Sequence, residues 1–175
     1  NYDSNGNISS RIDFKGNRTN YVYDLSRNLE TQRTEGLTAS GATTAVSRVF
    51  NTAWHATWRL PTVIAEPLKR TTYAYGGGTG VTCGAVGKVC TKTEQATSDV
   101  NGSQGFNAVA VGSPRVWTYT YNANGQLLTV NGPRTDASDI TTYTYYSDTT
   151  TLHRPGDLAT ITNALGHVTT FESYD

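Results

Sequence analysis

The stretch Tyr2-Asp3-Ser4-Asn5-Gly6-Asn7-Ile8 returns, altered but recognisable, as Tyr121-Asn122-Ala123-Asn124-Gly125-Gln126-Leu127. In both copies an aromatic residue leads into an Asx residue, and an Asn-Gly pair precedes an apolar residue. Asn-Gly supplies the positive φ angles of a tight hairpin turn, and the apolar residue opens the returning strand. The first copy continues through Asp13 and Gly16 to Tyr21-Val22-Tyr23-Asp24, where the Tyr-Asp pair begins again. A third copy shows Gly156-Asp157-Leu158, Asn163, Gly166 and Phe171, and Gly156 stands as far from Gly166 as Gly6 does from Gly16. Asp13-Phe14-Lys15-Gly16 and Asn163-Ala164-Leu165-Gly166 form the second turn of their units, with the Asx side chain bonding backbone two residues on.

Tyr-x-Tyr marks the approach to each turn at Tyr21 and Tyr23, Tyr73 and Tyr75, Tyr119 and Tyr121, and Tyr143 and Tyr145. Alternation puts both members of a pair on one face of a strand. The eight tyrosines are therefore expected as an aromatic ladder on neighbouring strands. One repeat of two short strands cannot cover such a face alone, so successive repeats must pack together. The fold class that follows is all-β: tandem antiparallel β-hairpin repeats forming a twisted, spiralling sheet. Composition agrees, with 11 Tyr, 17 Gly and abundant Thr, and without a sustained helical spacing of Leu and Ala.

These motifs resemble the YD repeat of the RHS family, in which Tyr-Asp is followed by Gly, Leu, a second Asp and Gly, and then Tyr-x-Tyr-Asp. About six degenerate units are recognisable across residues 1–175, treated as one repeat array. Arg27 stands where a Gly is expected after Tyr23-Asp24, Asn122 replaces the Asp, and Gly76 follows Tyr75. The resemblance implies a structural segment of a secreted or surface protein: a β shell enclosing a toxin, or assembly into larger β structures. The alternative is an adhesion module for carbohydrate or cell surfaces. No Asp-Pro-x-Gly-Leu self-cleavage segment is present, so the likeness is to the repeat body. Tyr2-Asp3 and Tyr174-Asp175 read as repeat starts, and the expected partners are neighbouring repeats of the same chain or other copies.

Inserted loops are expected near 36–46, 76–90 and 98–114, the first between strands Asn28 to Thr34 and Val46 to Trp58. Such loops are where binding is grafted onto a regular array, though many are merely tolerated. Cys83 and Cys90 flank Gly84 and Gly87 at a spacing that allows a disulfide across a short loop, which fits an oxidising exterior; two reduced thiols are the alternative.

Fourteen basic and fourteen acidic residues cancel, leaving no global field for nucleic acid or anionic lipid, and no run of apolar residues is long enough to span a membrane. His55, His153 and His167 are scattered singly, so neither a zinc site nor a catalytic dyad is expected; His55 should point away from the aromatic face of its strand. Gly76-Gly77-Gly78-Thr79-Gly80 lacks the Lys-Ser/Thr ending of a phosphate loop, and Asp3 to Asn7 brings its Gly too early for a calcium loop. The expectation is a protein without cofactor, metal or enzymatic activity. Trp54, Trp58 and Trp117 are candidate glycan contacts, weighed below a packing role for the aromatics. Asn7, Asn17 and Asn101 head glycosylation patterns that matter only in a eukaryotic secretory setting and are discounted because the resemblance leans bacterial.

Overall fold

The computed structural model describes residues 1–175. It is all-β: an antiparallel meander in which each strand lies beside the next in sequence, from β1 to β12. The strands are β1 (Ser10–Ile12), β2 (Arg18–Asp24), β3 (Leu29–Leu37), β4 (Arg48–Trp54), β5 (Pro61–Glu66), β6 (Lys69–Tyr75), β7 (Val89–Thr97), β8 (Ala110–Tyr121), β9 (Leu127–Asn131), β10 (Thr141–Tyr145), β11 (Leu158–Thr162) and β12 (Val168–Thr170). The only helical element is a 3-10 turn, Gly105–Asn107. Every connection is local, the outcome expected when turn chemistry rather than long-range pairing sets the topology.

The chain divides into two compact units. One comprises Asn1–Tyr73 with Glu94–Pro114, the other Ala74–Thr93 with Arg115–Asp175. In the first, Leu29, Leu37, Ala65 and Ala108 are buried together with Ser10, Ser47, Thr71, Thr97 and Asp99. In the second, the buried side chains are Tyr75, Cys83 and Cys90. No large side chain anywhere is fully enclosed, so apolar burial is thin and stability must lean on hydrogen-bonded strands and turns.

Four hairpins share a register break. A β-bulge falls between Val22 and Tyr23, Ala53 and Trp54, Thr120 and Tyr121, and Thr144 and Tyr145, always just before the last aromatic of the strand. The extra residue lies on the returning strand: Thr31, Thr62, Leu128 and Ala159 respectively. Where it is threonine, its hydroxyl donates to the carbonyl that precedes the aromatic, Thr31 to Val22 and Thr62 to Ala53, both at 3.2 Å.

Several expectations need correction. Strand β4 stops at Trp54 instead of running to Trp58, because residues 55–60 fold into a hydrogen-bonded loop of their own. The third loop is narrower than expected, since β8 starts at Ala110 and Pro114 lies inside that strand, where it is exposed. The tyrosine pairs occupy β2, β6, β8 and β10, so at least one strand always intervenes between pairs and the tyrosines are not on adjacent strands. At the turn after Tyr23-Asp24 the positive φ falls on Asn28 (51°), one residue beyond Arg27, so Arg27 does not adopt the glycine conformation.

Candidate functional site

The turns are built around one recurring side-chain cap. Asp3 Oδ1 accepts the backbone N–H groups of Asn5 and Asn7 at 2.9 and 2.8 Å, while its Oδ2 accepts the Asn7 side-chain amide at 2.9 Å. Asp13 repeats the pattern with Lys15 and Asn17, Asn122 with Asn124 and Gln126, and Asn163 with Leu165 and His167. In each the fourth residue is a glycine at positive φ: Gly6, Gly16, Gly125 and Gly166. At Gly6, Gly16 and Gly166 an L side chain would meet open space, so glycine is required there by backbone conformation alone, while at Gly125 a Cβ would also press on the Lys88 side chain.

The cap also fixes charge. Partial desolvation works to raise the Asp3 carboxyl, but the Asn7 side chain and the N–H groups of Asn7, Asn5 and Gly6 outweigh it and hold it below the ordinary carboxylate value. The Asn17 side-chain amide and backbone do the same for Asp13, and the Ser26 hydroxyl for Asp24. These carboxylates are engaged by the backbone and side chains of their own turns.

Three of the four aromatics at the bulges are similarly occupied. Tyr121 Oη donates to the Val89 carbonyl at 3.0 Å, Tyr145 Oη to Leu127 at 2.7 Å, and Trp54 Nε1 to Glu30 at 2.8 Å. The Tyr174 hydroxyl bonds the Leu158 carbonyl in the same sense. For Tyr121, Tyr145 and Trp54 the acceptor is the first or second residue of the preceding strand, β7, β9 and β3, and for Tyr174, which lies beyond β12, it is the first residue of β11. Because Trp54, Tyr121 and Tyr145 also pair with the following strand at the bulge, each ties three strands together. Burial raises the Tyr121 and Tyr145 hydroxyls above the usual tyrosine value, with a smaller push from Tyr119 and Tyr143, so they remain donors across the physiological range.

Trp54 and Trp58 flank one loop of the first unit, which is clamped by two arginines. Arg27 donates through Nη1 to the His55 carbonyl and through Nη2 to the Trp58 carbonyl, both at 2.7 Å. Arg59 returns the contact, donating to the carbonyls of Arg27 at 2.9 Å and Asn28 at 3.2 Å. The His55 ring stacks on Trp58 with centroids 4.1 Å apart, and its Nδ1 accepts the N–H groups of Thr57 and Trp58. His55 therefore organises the loop and does not project from a strand. Only the departure from glycine at Arg27 signalled this clamp in the sequence. Trp117 belongs to the second unit, with Lys92 Nζ 4.8 Å and Arg115 Cζ 5.2 Å from its ring centroid.

The remaining histidines are also turn components. His153 stacks on Tyr146 at 3.5 Å, approaches Asp148 at 3.2 Å and faces Thr150 Oγ1 at 3.3 Å; His167 closes the Asn163 cap. Thr150 Oγ1 accepts the backbone N–H groups of Leu152 and His153, which uses it as a turn cap. No group of three or more His, Cys, Asp or Glu side chains is arranged to hold a metal ion.

The loop expected near 76–90 is closed by a disulfide between Cys83 and Cys90. Its role is local: the Cys83 carbonyl accepts the Tyr121 N–H at 2.7 Å, and Gly84 lies so close to the Tyr121 carbonyl that a Cβ would overlap it. Tyr121 is thus held from one side by the loop and from the other by Val89. The glycines and short side chains of residues 76–86 border an open cavity of about 400 Å³. A second groove of about 560 Å³ runs past Asn122, Asn124, Gln126, Tyr145 and Tyr146. No helix is long and apolar enough to cross a membrane.

No family model matches the chain. No curated protein matches it. Among solved structures, it is similar to a chain of the Tc holotoxin pore from Photorhabdus luminescens, at 16% sequence identity and a TM-score of 0.44, over 97% of this chain and 9% of that one.

Proposed function

We propose that this chain is a wall segment of a larger extracellular β structure of the RHS/YD-repeat kind, with a structural and not an enzymatic role. The observation that carries the reading is the destination of its polar groups. The aromatic donors at Trp54, Tyr121, Tyr145 and Tyr174 and the carboxylates at Asp3 and Asp13 are all spent on the chain's own backbone and caps. A site that binds or transforms a ligand needs such groups free and convergent; here they stiffen a thin sheet. The disulfide supports an oxidising location, such as a secreted protein or the cell surface. Neighbouring repeats, or other copies of the chain, are the partners this role requires, and an enclosed polypeptide is the cargo that the family resemblance implies.

Imaging the intact parent particle by electron microscopy tests the reading: a continuous β wall containing this segment is the expected result. A glycan array supplies the opposing outcome. Reproducible glycan binding that Trp58→Ala or Trp117→Ala abolishes while the circular dichroism spectrum is retained would replace the structural reading with an adhesion module.

A further inference from the structure

An asparagine side chain can be consumed by its own backbone. In an Asn-Gly sequence the glycine amide nitrogen can attack the side-chain carboxamide, and whether it does so in a folded protein depends on what holds the reacting atoms. The chain contains Asn5-Gly6, Asn101-Gly102, Asn124-Gly125 and Asn131-Gly132. At three of them the nucleophilic nitrogen is already engaged as a donor: Gly6 to the Asp3 carbonyl at 3.2 Å, Gly125 to the Asn122 carbonyl at 2.9 Å, and Gly132 to Asp139 Oδ1 at 2.9 Å. Asn5 is restrained further, since its Nδ2 donates to the Leu25 carbonyl and to Asn28 Oδ1.

Asn101 differs at each of these points. The Gly102 N–H donates to no acceptor, and Asn101 Nδ2, the leaving group, makes no hydrogen bond. Asn101 Oδ1 accepts the Ser103 backbone N–H at 3.1 Å, which folds the carboxamide back over the main chain and polarises its carbonyl toward attack. Asn101 is exposed, so water reaches its carboxamide, while the neighbouring Gly102 is buried against Val49. Its backbone is anchored from the other direction, the Asn101 carbonyl accepting the Val49 N–H at 2.8 Å.

We propose that Asn101 is a site of spontaneous intramolecular deamidation. The Gly102 nitrogen forms a bond to Asn101 Cγ, the Cγ–Nδ2 bond breaks, and the glycine's proton leaves with the amide as ammonia, giving a succinimide. Water then opens the ring at either carbonyl, to aspartate or to isoaspartate. No oxidant or cofactor is involved. Isoaspartate routes the main chain from Asn101 Cα through Cβ and Cγ to Gly102, one atom longer, and turns the carbonyl that accepts the Val49 N–H into a free carboxylate, beside a Gly102 whose Cα lies so close to the Val49 carbonyl that a Cβ would overlap it. Either product adds a negative charge two residues from buried Asp99, whose Oδ2 caps the Gln104 N–H. The modification therefore loosens the 98–109 loop from β4.

The test is peptide mapping by mass spectrometry after the whole folded chain has stood in mildly alkaline buffer at body temperature. Conversion at Asn101 is expected to run about tenfold faster than at Asn5, Asn124 or Asn131, the rate equivalent of the one backbone hydrogen bond the others must break first. The same incubation in concentrated urea should bring the four sites within a few-fold of one another, and Asn101→Gln should remove the leading acidic species seen on ion exchange in the folded protein. An intact Asn101, a faster site among the other three, or a lead at Asn101 undiminished in urea overturns the assignment.

Discussion

The Tyr145 hydroxyl donates to the Leu127 carbonyl at 2.7 Å, joining the last residue of β10 to the first residue of β9, while the Tyr145 backbone pairs with Leu158 on β11 beyond a bulge. One residue thus sets the spacing of three strands, and Tyr121 does the same with Val89 and Leu127. Removing the hydroxyl leaves a carbonyl without its partner and the ring in place. Tyr145→Phe is expected to destabilise the fold by about 1 kcal/mol in urea denaturation, and Tyr121→Phe by a similar amount.

The disulfide closes a short loop, so its stabilisation is moderate. Chain entropy for a loop of this size gives about 2.5 kcal/mol. The double substitution Cys83→Ser with Cys90→Ser should lower the denaturation midpoint accordingly. Reductant should produce the same shift in the natural chain and none in the variant.

Glycines with different demands should respond differently to alanine. Gly166 has φ of 81° and open space around a would-be Cβ, so Gly166→Ala should cost only the left-handed strain of about 1–2 kcal/mol. Gly84 has positive φ and also abuts the Tyr121 carbonyl, a backbone atom that cannot swing away. Gly84→Ala should therefore be clearly the more damaging of the two in thermal unfolding.

Acid should weaken the turns in a defined direction. The Asp3 and Asp13 carboxyls are held below their ordinary value of 3.8 by hydrogen bonds to the folded backbone. A depressed folded value means the stabilisation is present above the ordinary value and is lost as pH falls through the lower, folded one. Asparagine forms the same cap at Asn122 and Asn163 without titrating. Asp3→Asn with Asp13→Asn should keep the fold and flatten the loss of stability below about pH 4.

The arginine clamp should distinguish a fork from a point charge. Arg27 reaches the His55 and Trp58 carbonyls with two nitrogens at once. Arg27→Ala is expected to cost about 1.5–3 kcal/mol, and Arg27→Lys to recover less than half of that, because an ammonium cannot match both carbonyls. Calorimetry of the three proteins side by side measures the difference.

Local chemistry made much of this protein legible from residues alone. Asn5-Gly6, Asp13 to Gly16, Asn124-Gly125 and Asn163 to Gly166 place their turns where the structure has them, because an Asx cap and a positive φ are settled within five residues of chain. Strand alternation likewise separates the half-buried Tyr119, Tyr121, Tyr143 and Tyr145 from the exposed Thr120 and Thr144. Other features depend on partners far along the chain. The bulges at Thr31, Thr62, Leu128 and Ala159 shift register only when two strands are laid side by side, and no single strand carries a sign of them. The acceptors of Trp54 and Tyr121 lie on the preceding strand at intervals that vary with each inserted loop, so no fixed spacing could reveal them. Arg27 looked like a lapse from a glycine pattern until the 55–59 loop folded back to offer it two carbonyls. Turns were decided by covalent neighbours and strand order by their succession; which polar atoms meet across strands was decided only by tertiary structure, since that depends on the relative placement of segments that sequence distance leaves open.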